Sequence, residues 1–267
     1  MIKLILSDMD GTLLDENGQL PEEFDAVMEE LHERGVQFAP ASGRQYFSLL
    51  KSFKKYEDRF IFVSDNGTIV RQHGQELFSD VIEHKLAAEI FNSMNDHDGI
   101  YNVLCGKETV YLLRDKQPEA QMDELKKYFR LVEVVDSFED IPEEPIKISF
   151  FTPDGDAAEK IYPLFAPYYD SMQVVLASAY WVDVTNKGAT KGSAVKALQK
   201  RLGLKPEECA VFGDYMNDIE MMGAAYYSYA MENAFPPVKE AARFVAPSNA
   251  EHGVIKTIRG FMEQGLC

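Results

Sequence analysis

An α/β fold is predicted: a parallel sheet with crossover helices, interrupted by an inserted α+β domain. Three observations predict it. Short apolar runs alternate with helix-period patterns at both ends of the chain, which is the rhythm of βαβ units. The middle, from about Glu83 to Thr185, breaks that rhythm with strands and helices closely mixed. Polar clusters also follow directly on three of the apolar runs, where an open parallel sheet presents the carboxyl ends of its strands and binds ligands.

Taken in order, residues 2–6 form the first strand. A helix follows, with Pro21 near its start, Glu22 and Glu23 in its first turn, an apolar face of Phe24, Val27, Met28 and Leu31, and Gly35 as its stop. Residues 36–41 are the second strand, and a helical segment bearing Phe47, Leu50 and Phe53 leads to a strand at 60–63. The turn Asp65-Asn66-Gly67 then reads as a hairpin. In the middle, strands at 109–113, 146–151 and 172–177 are interleaved with helices near 118–129 and 156–165. After Gly188 the first rhythm returns: a helix over 191–202, a strand at 209–212, a short helix from Asn217, a strand at 226–230 and a last helix near 254–262. One discontinuous domain, 1–82 with 187–267, therefore carries an inserted domain, 83–186.

The chain has 267 residues, 46% of them hydrophobic, enough for one large core or two medium ones. Its 44 acidic and 27 basic side chains give a formal net charge of −17. That field argues against nucleic acid or an anionic membrane as partner, because both attract through positive charge. It also repels a phosphorylated ligand at distance, so a phosphate site here has to bring local cations. Three cysteines, Cys105, Cys209 and Cys267, have no CxxC spacing and build neither a disulfide framework nor a zinc site, which suits a reducing cytoplasm. The apolar run at the start stops at Ser7-Asp8, too short for a signal peptide or a membrane span.

The polar clusters are Asp8-Met9-Asp10-Gly11-Thr12, Ser42-Gly43-Arg44 and Gly213-Asp214-Tyr215-Met216-Asn217-Asp218. Alone, the first reads equally as a solvated strand-to-helix turn. A calcium loop is excluded, since its sixth position, a glycine in EF-hands, is Leu13 here. The second reads as a helix cap, which is compatible with phosphate binding, because a hydroxyl and helix N-terminal amides both suit a phosphate oxygen. The third sets two carboxylates and an amide within five residues, oxygen donors of the kind hard divalent metals take. Lys191, in Thr190-Lys191-Gly192-Ser193, stands at a helix start, where the helix dipole disfavours a cation, so an anion beside it is expected. Lys187 competes for that task.

In combination these clusters resemble the haloacid dehalogenase superfamily, in its Cof-type, IIB branch. The four motifs appear as Asp8-Met9-Asp10-Gly11-Thr12, Ser42-Gly43-Arg44, Lys191-Gly192, and Gly213-Asp214 with Asn217-Asp218. The family's Asn-Gly-Ala turn stands here as Asn66-Gly67-Thr68, and the stretch before Lys191, Thr185-Asn186-Lys187-Gly188-Ala189, lacks the commoner proline. The resemblance implies a Rossmann-like core with an α/β cap inserted between the second and third motifs. It implies a magnesium-dependent phosphatase acting on small phosphate esters, sugar phosphates foremost, which the charge and cysteine readings place in the cytoplasm with no nucleic-acid or membrane partner. A phosphomutase on the same fold and a non-catalytic phosphate-ester binding protein are the alternatives.

The resemblance also assigns tasks. Asp8 is the nucleophile and forms an aspartyl-phosphate; Asp10 is the acid/base and has to carry a proton for part of the cycle. Mg2+ is held by Asp8, Asp214 and the main-chain carbonyl of Asp10. Ser42, Gly43, Lys191 and Asn217 bind phosphate, Arg44 stands on the substrate side, and Asp218 supports the metal ligands without touching the metal. The protein partners are not specified by any motif.

Overall fold

The structure, a computed structural model, describes residues 1–114, 122, 125 and 131–267. These form two compact units, Met1–Phe78 with Thr190–Cys267, and Ser79–Ala189. In chain order the first unit contributes β1 (Leu4–Asp8), α1 (Phe24–Glu33), β2 (Gln37–Ala41), α2 (Tyr46–Ser52), β3 (Ile61–Ser64), β4 (Ile69–Gln72) and β5 (Gln75–Ser79). The second unit follows with α3 (His84–Asn92), β6 (Tyr101–Cys105), β7 (Val110–Leu113), β8 (Val132–Val135), β9 (Lys147–Phe151), α4 (Ala157–Lys160), β10 (Met172–Leu176) and β11 (Trp181–Asn186). The chain then completes the first with α5 (Lys191–Leu202), β12 (Cys209–Gly213), α6 (Ile219–Met222), β13 (Tyr227–Met231), α7 (Pro236–Ala241), β14 (Phe244–Ala246) and α8 (Gly253–Glu263).

The first unit is an eight-stranded sheet in the order β14-β13-β12-β1-β2-β3-β4-β5. Strands β14 to β3 run parallel, and β4 turns back against β3 through the hairpin at Asn66-Gly67. Parallel sheets are covered on both faces, so their strands read as continuous apolar runs rather than alternating ones. Leu4, Ile5 and Leu6 of β1 are accordingly closed to solvent, and each such side chain contributes about 1.5–3 kcal/mol by leaving water. Phe24, Val27, Met28 and Leu31 of α1 pack on the same core. From β1 the chain goes to β2 and β3 on one side, and returns later to β12 and β13 on the other. The carboxyl end of β1 is therefore the topological switch point, where such sheets open a crevice.

The second unit holds, among the described residues, a six-stranded sheet in the order β10-β11-β9-β6-β7-β8, antiparallel except for β7 with β8. Helix α3 lays Ala87, Ile90 and Phe91 into a core with Leu104, Ile148, Phe150 and Val182.

Several elements depart from the sequence pattern. Pro21, Glu22 and Glu23 form a turn before α1 instead of its first turn. Helix α2 buries Tyr46, Leu49 and Leu50, leaving Phe47 at the edge of the core. The helix expected at 156–165 is only α4 followed by 3-10 turns over Tyr162–Tyr168, because Pro163 and Pro167 cannot donate to an α-helical ladder. The helix expected near 118–129 lies outside the described residues, save Met122 and Leu125.

Candidate active site

Asp8 is the last residue of β1, with its Cα in register with Ala41, the last residue of β2. Beyond it the chain turns through residues 9–13, with Asp10 in extended dihedrals and Gly11 at φ +77°. Only a residue without a Cβ suits Gly11: the φ is left-handed, and a Cβ there would lie 2.3 Å from the carboxylate of Asp214. Thr12 Oγ1 donates to Asp214 Oδ1 at 2.8 Å, tying the loop after β1 to the loop after β12.

Lys191 opens α5, capped by Thr190, whose hydroxyl accepts from the Ser193 N–H. Its ammonium is fully buried and donates to Asp8 Oδ1 and, at 2.7 Å, to Asp218 Oδ1. The anion expected beside this lysine is thus the pair of carboxylates. Burial works against the charge on Lys191, yet Asp8 and Asp218 hold it above its ordinary range. Asp218 uses its other oxygen to accept from the N–H groups of Asp214 (3.0 Å) and Tyr215 (3.1 Å). Gly213 makes this wrap feasible, since a Cβ there would lie 2.5 Å from the Asp218 side chain.

Asp8, Asp214 and Asp218 bring carboxylate oxygens within 4.8 Å of one another. Three carboxylates against one ammonium leave an excess of negative charge in a largely buried place. Burial, reinforced by Asp218 and Asp214 and opposed by Lys191, pushes the Asp8 carboxyl up to about 8. Burial also raises Asp214, with the Thr12 hydroxyl opposing it. All-oxygen donors with surplus negative charge suit a hard divalent cation.

The remaining predicted residues form a second group at the end of β2. Ser42 is 3% exposed; its N–H donates to the Val63 carbonyl, and its Oγ accepts from the Arg44 N–H at 3.2 Å. Its carbonyl accepts from the N–H of Asn66, which sits at φ +55° in the β3–β4 turn. Gly43 leaves room for the Asn66 amide, which a Cβ would approach to 3.1 Å. Asn217 Nδ2 donates to Asn66 Oδ1 at 2.9 Å, bridging this group to the β12 loop. The Gly67 turn abuts the start of α5: a Cβ at Gly67 would meet the Thr190 carbonyl at 2.3 Å. Asp10 stands apart from the buried carboxylates, exposed, with Arg44 donating to its Oδ1 at 2.6 Å.

Two further residues reach the loop after β1 without being singled out by the sequence pattern. Asn233 Nδ2 donates to the Gly11 carbonyl at 2.8 Å, and Asn249 Nδ2 donates to the Leu14 carbonyl at 2.9 Å. The only signal is an asparagine shortly after a strand, which is what any turn or cap also shows.

The chain matches the haloacid dehalogenase-like hydrolase family over residues 5–258. It is 32% identical over 258 residues to the 5-amino-6-(5-phospho-D-ribitylamino)uracil phosphatase YbjI of Escherichia coli (strain K12), covering 96% of this chain and 95% of that protein. It is 27% identical over 282 residues to phosphatase YwpJ of Bacillus subtilis (strain 168), covering 95% and 97%. A solved structure from Thermotoga maritima superposes with a TM-score of 0.84 at 25% identity, covering 97% of each chain.

Proposed function

We propose the following chemistry for this chain, which belongs to the haloacid dehalogenase-like hydrolase family and is a phosphatase. It hydrolyses phosphate monoesters of small polyols and sugars, depends on magnesium, and uses Asp8 as nucleophile. The observation that carries this reading is the buried Lys191 joined to Asp8, with Asp214 beside them, at the carboxyl ends of the neighbouring strands β1 and β12. A surface ion pair needs no such burial; a nucleophile that must be held in line with phosphorus does.

In the first step an Asp8 carboxylate oxygen attacks phosphorus, an aspartyl-phosphate bond forms, and the bond from phosphorus to the ester oxygen breaks. Asp10 gives its proton to that leaving oxygen. In the second step Asp10 takes a proton from a water, the water oxygen attacks phosphorus, and phosphate leaves with Asp8 restored. Lys191 holds Asp8 in one orientation and offers its charge to a phosphoryl oxygen. Ser42 accepts from the Arg44 N–H through its oxygen, which leaves its own proton for the phosphate. Asn217, oriented by Asn66, is the amide donor for the same group, with Gly43 giving the phosphate close approach to the backbone. Arg44 is a cation on the substrate side, able to exchange the Asp10 carboxylate for the incoming phosphate.

The acidic set fits magnesium. Asp8, Asp214 and the Asp10 main-chain carbonyl would hold it, whereas both Asp218 oxygens are already engaged by Lys191 and two backbone N–H groups. When bound, the ion neutralises charge on the phosphoryl oxygens, which is the larger part of catalysing phosphoryl transfer.

The substrate class is supported by the E. coli relative, whose name specifies a phosphate on a ribityl chain. A panel of phosphate esters with magnesium tests it: polyol and sugar phosphates are expected to release phosphate faster than nucleotides or phosphoproteins. Isomerised sugar phosphate without released phosphate would indicate a mutase, and no turnover of any ester a binding protein.

A further inference from the structure

The loop after β1 is held partly from outside itself. The Leu14 N–H closes it onto the Met9 carbonyl at 2.9 Å, while Asp10 and Gly11 within it depart from helical dihedrals. Its carbonyls at Gly11 and Leu14 are instead each taken by an asparagine from the far end of the chain, Asn233 and Asn249. The two asparagines are also joined, because the Asn249 N–H donates to Asn233 Oδ1 at 3.1 Å. Two residues beyond Asn233, the Phe235 N–H donates to the carbonyl of Asp214 at 2.9 Å. The turn after β13 is therefore bonded both to the loop that follows Asp8 and to the loop that carries Asp214. Gly11 lies so close to the Asp214 carboxylate that a shift of its peptide changes the space around that oxygen.

We propose that Asn233 is a positioning residue for the metal site: it sets the separation of the Asp8 and Asp214 carboxylates by fixing the Gly11 peptide. This rests on the reading of the site given above. The residue type follows from the task. One end of the side chain must donate to the Gly11 carbonyl and the other must accept from the Asn249 N–H, which a carboxylate, an ammonium or an aliphatic chain cannot do together. Asn233 is exposed, so its bonds add little to the core. Its effect is read on the metal and on turnover rather than on folding.

The test uses Asn233→Leu, close to asparagine in size but with neither bond, and Asn233→Ala. Calorimetric titration with magnesium alone is expected to show affinity weakened about tenfold or more, the usual effect of removing a group that supports metal ligands. With p-nitrophenyl phosphate, kcat is expected to fall about ten- to a hundredfold with KM changed by less than about threefold, since placement rather than ester binding is lost. The thermal midpoint of the metal-free variants should stay close to that of the parent. Magnesium affinity and kcat both within twofold of the parent, in either folded variant, would overturn the proposal. So would a loss of activity that follows a thermal midpoint below the assay temperature. If the parent binds magnesium but releases no phosphate, the phosphatase reading fails, and the titration alone decides the role of Asn233.

Discussion

Lys191 donates to Asp218 at 2.7 Å, and neither side chain reaches solvent. A buried pair of this kind holds only while both partners are present, because removing one strands the other's charge out of water. Lys191→Met is expected to lose about 3–5 kcal/mol of stability and all phosphate release, read by chemical denaturation and a phosphate assay. The double variant Lys191→Met/Asp218→Asn should recover a large part of the stability and none of the activity. Stability and catalysis would then separate at this lysine.

Gly11→Ala makes a different demand. The substitution forces a side chain into a left-handed conformation and against Asp214, at a half-buried position. A stability loss of about 1–2 kcal/mol is expected from the conformational strain. The activity loss should be much larger, at least about tenfold, since the displaced group is Asp214. Thermal unfolding and turnover of p-nitrophenyl phosphate, measured on the same preparation, check the contrast.

The pH dependence of metal binding follows from Asp8. Its carboxyl is raised to about 8 in the folded protein by burial, against an ordinary value near 4. Between those values the folded state holds a proton that the unfolded chain has released, so the stability of the metal-free protein falls as pH rises through that window. A cation entering the site displaces the same proton. Apparent magnesium affinity should therefore rise with pH, by up to about tenfold per unit, between pH 5 and 8. Titration calorimetry in two buffers of different ionisation enthalpy counts the protons released.

Removal of divalent metal should act on folding as well as on turnover. With the surplus negative charge uncompensated, chelator is expected to lower the thermal midpoint and abolish phosphate release. Added Mg2+ should restore both, with a midpoint that climbs with metal concentration as mass action requires. Sodium at equal ionic strength should restore neither.

Much of the site is visible in the sequence because it sits where chain direction and composition change together. Asp8, Ser42 and Asp214 each follow an apolar run, and in a parallel sheet that places them on one edge without further information. The Asn66-Gly67 hairpin and the full span of α5 are equally legible, the first from its turn residues and the second expected over 191–202 and found as Lys191–Leu202. What is hidden depends on contacts between distant segments. Asn233 and Asn249 look like ordinary turn asparagines until the fold brings them to Gly11 and Leu14. The pairing of Arg44 with Asp10 is likewise a matter of two side chains meeting, which no local pattern encodes. Strand β14, at three residues, is too short for its periodicity to register.

If Asp8 attacks phosphorus, the variant Asp8→Asn lacks the reacting atom. The amide keeps the size of the carboxylate but is not a competent nucleophile. Magnesium-dependent release of phosphate from p-nitrophenyl phosphate is expected to fall by at least about a thousandfold, with the cooperative thermal transition retained. Turnover within a few-fold of the parent by the folded variant would mean that Asp8 is not the nucleophile.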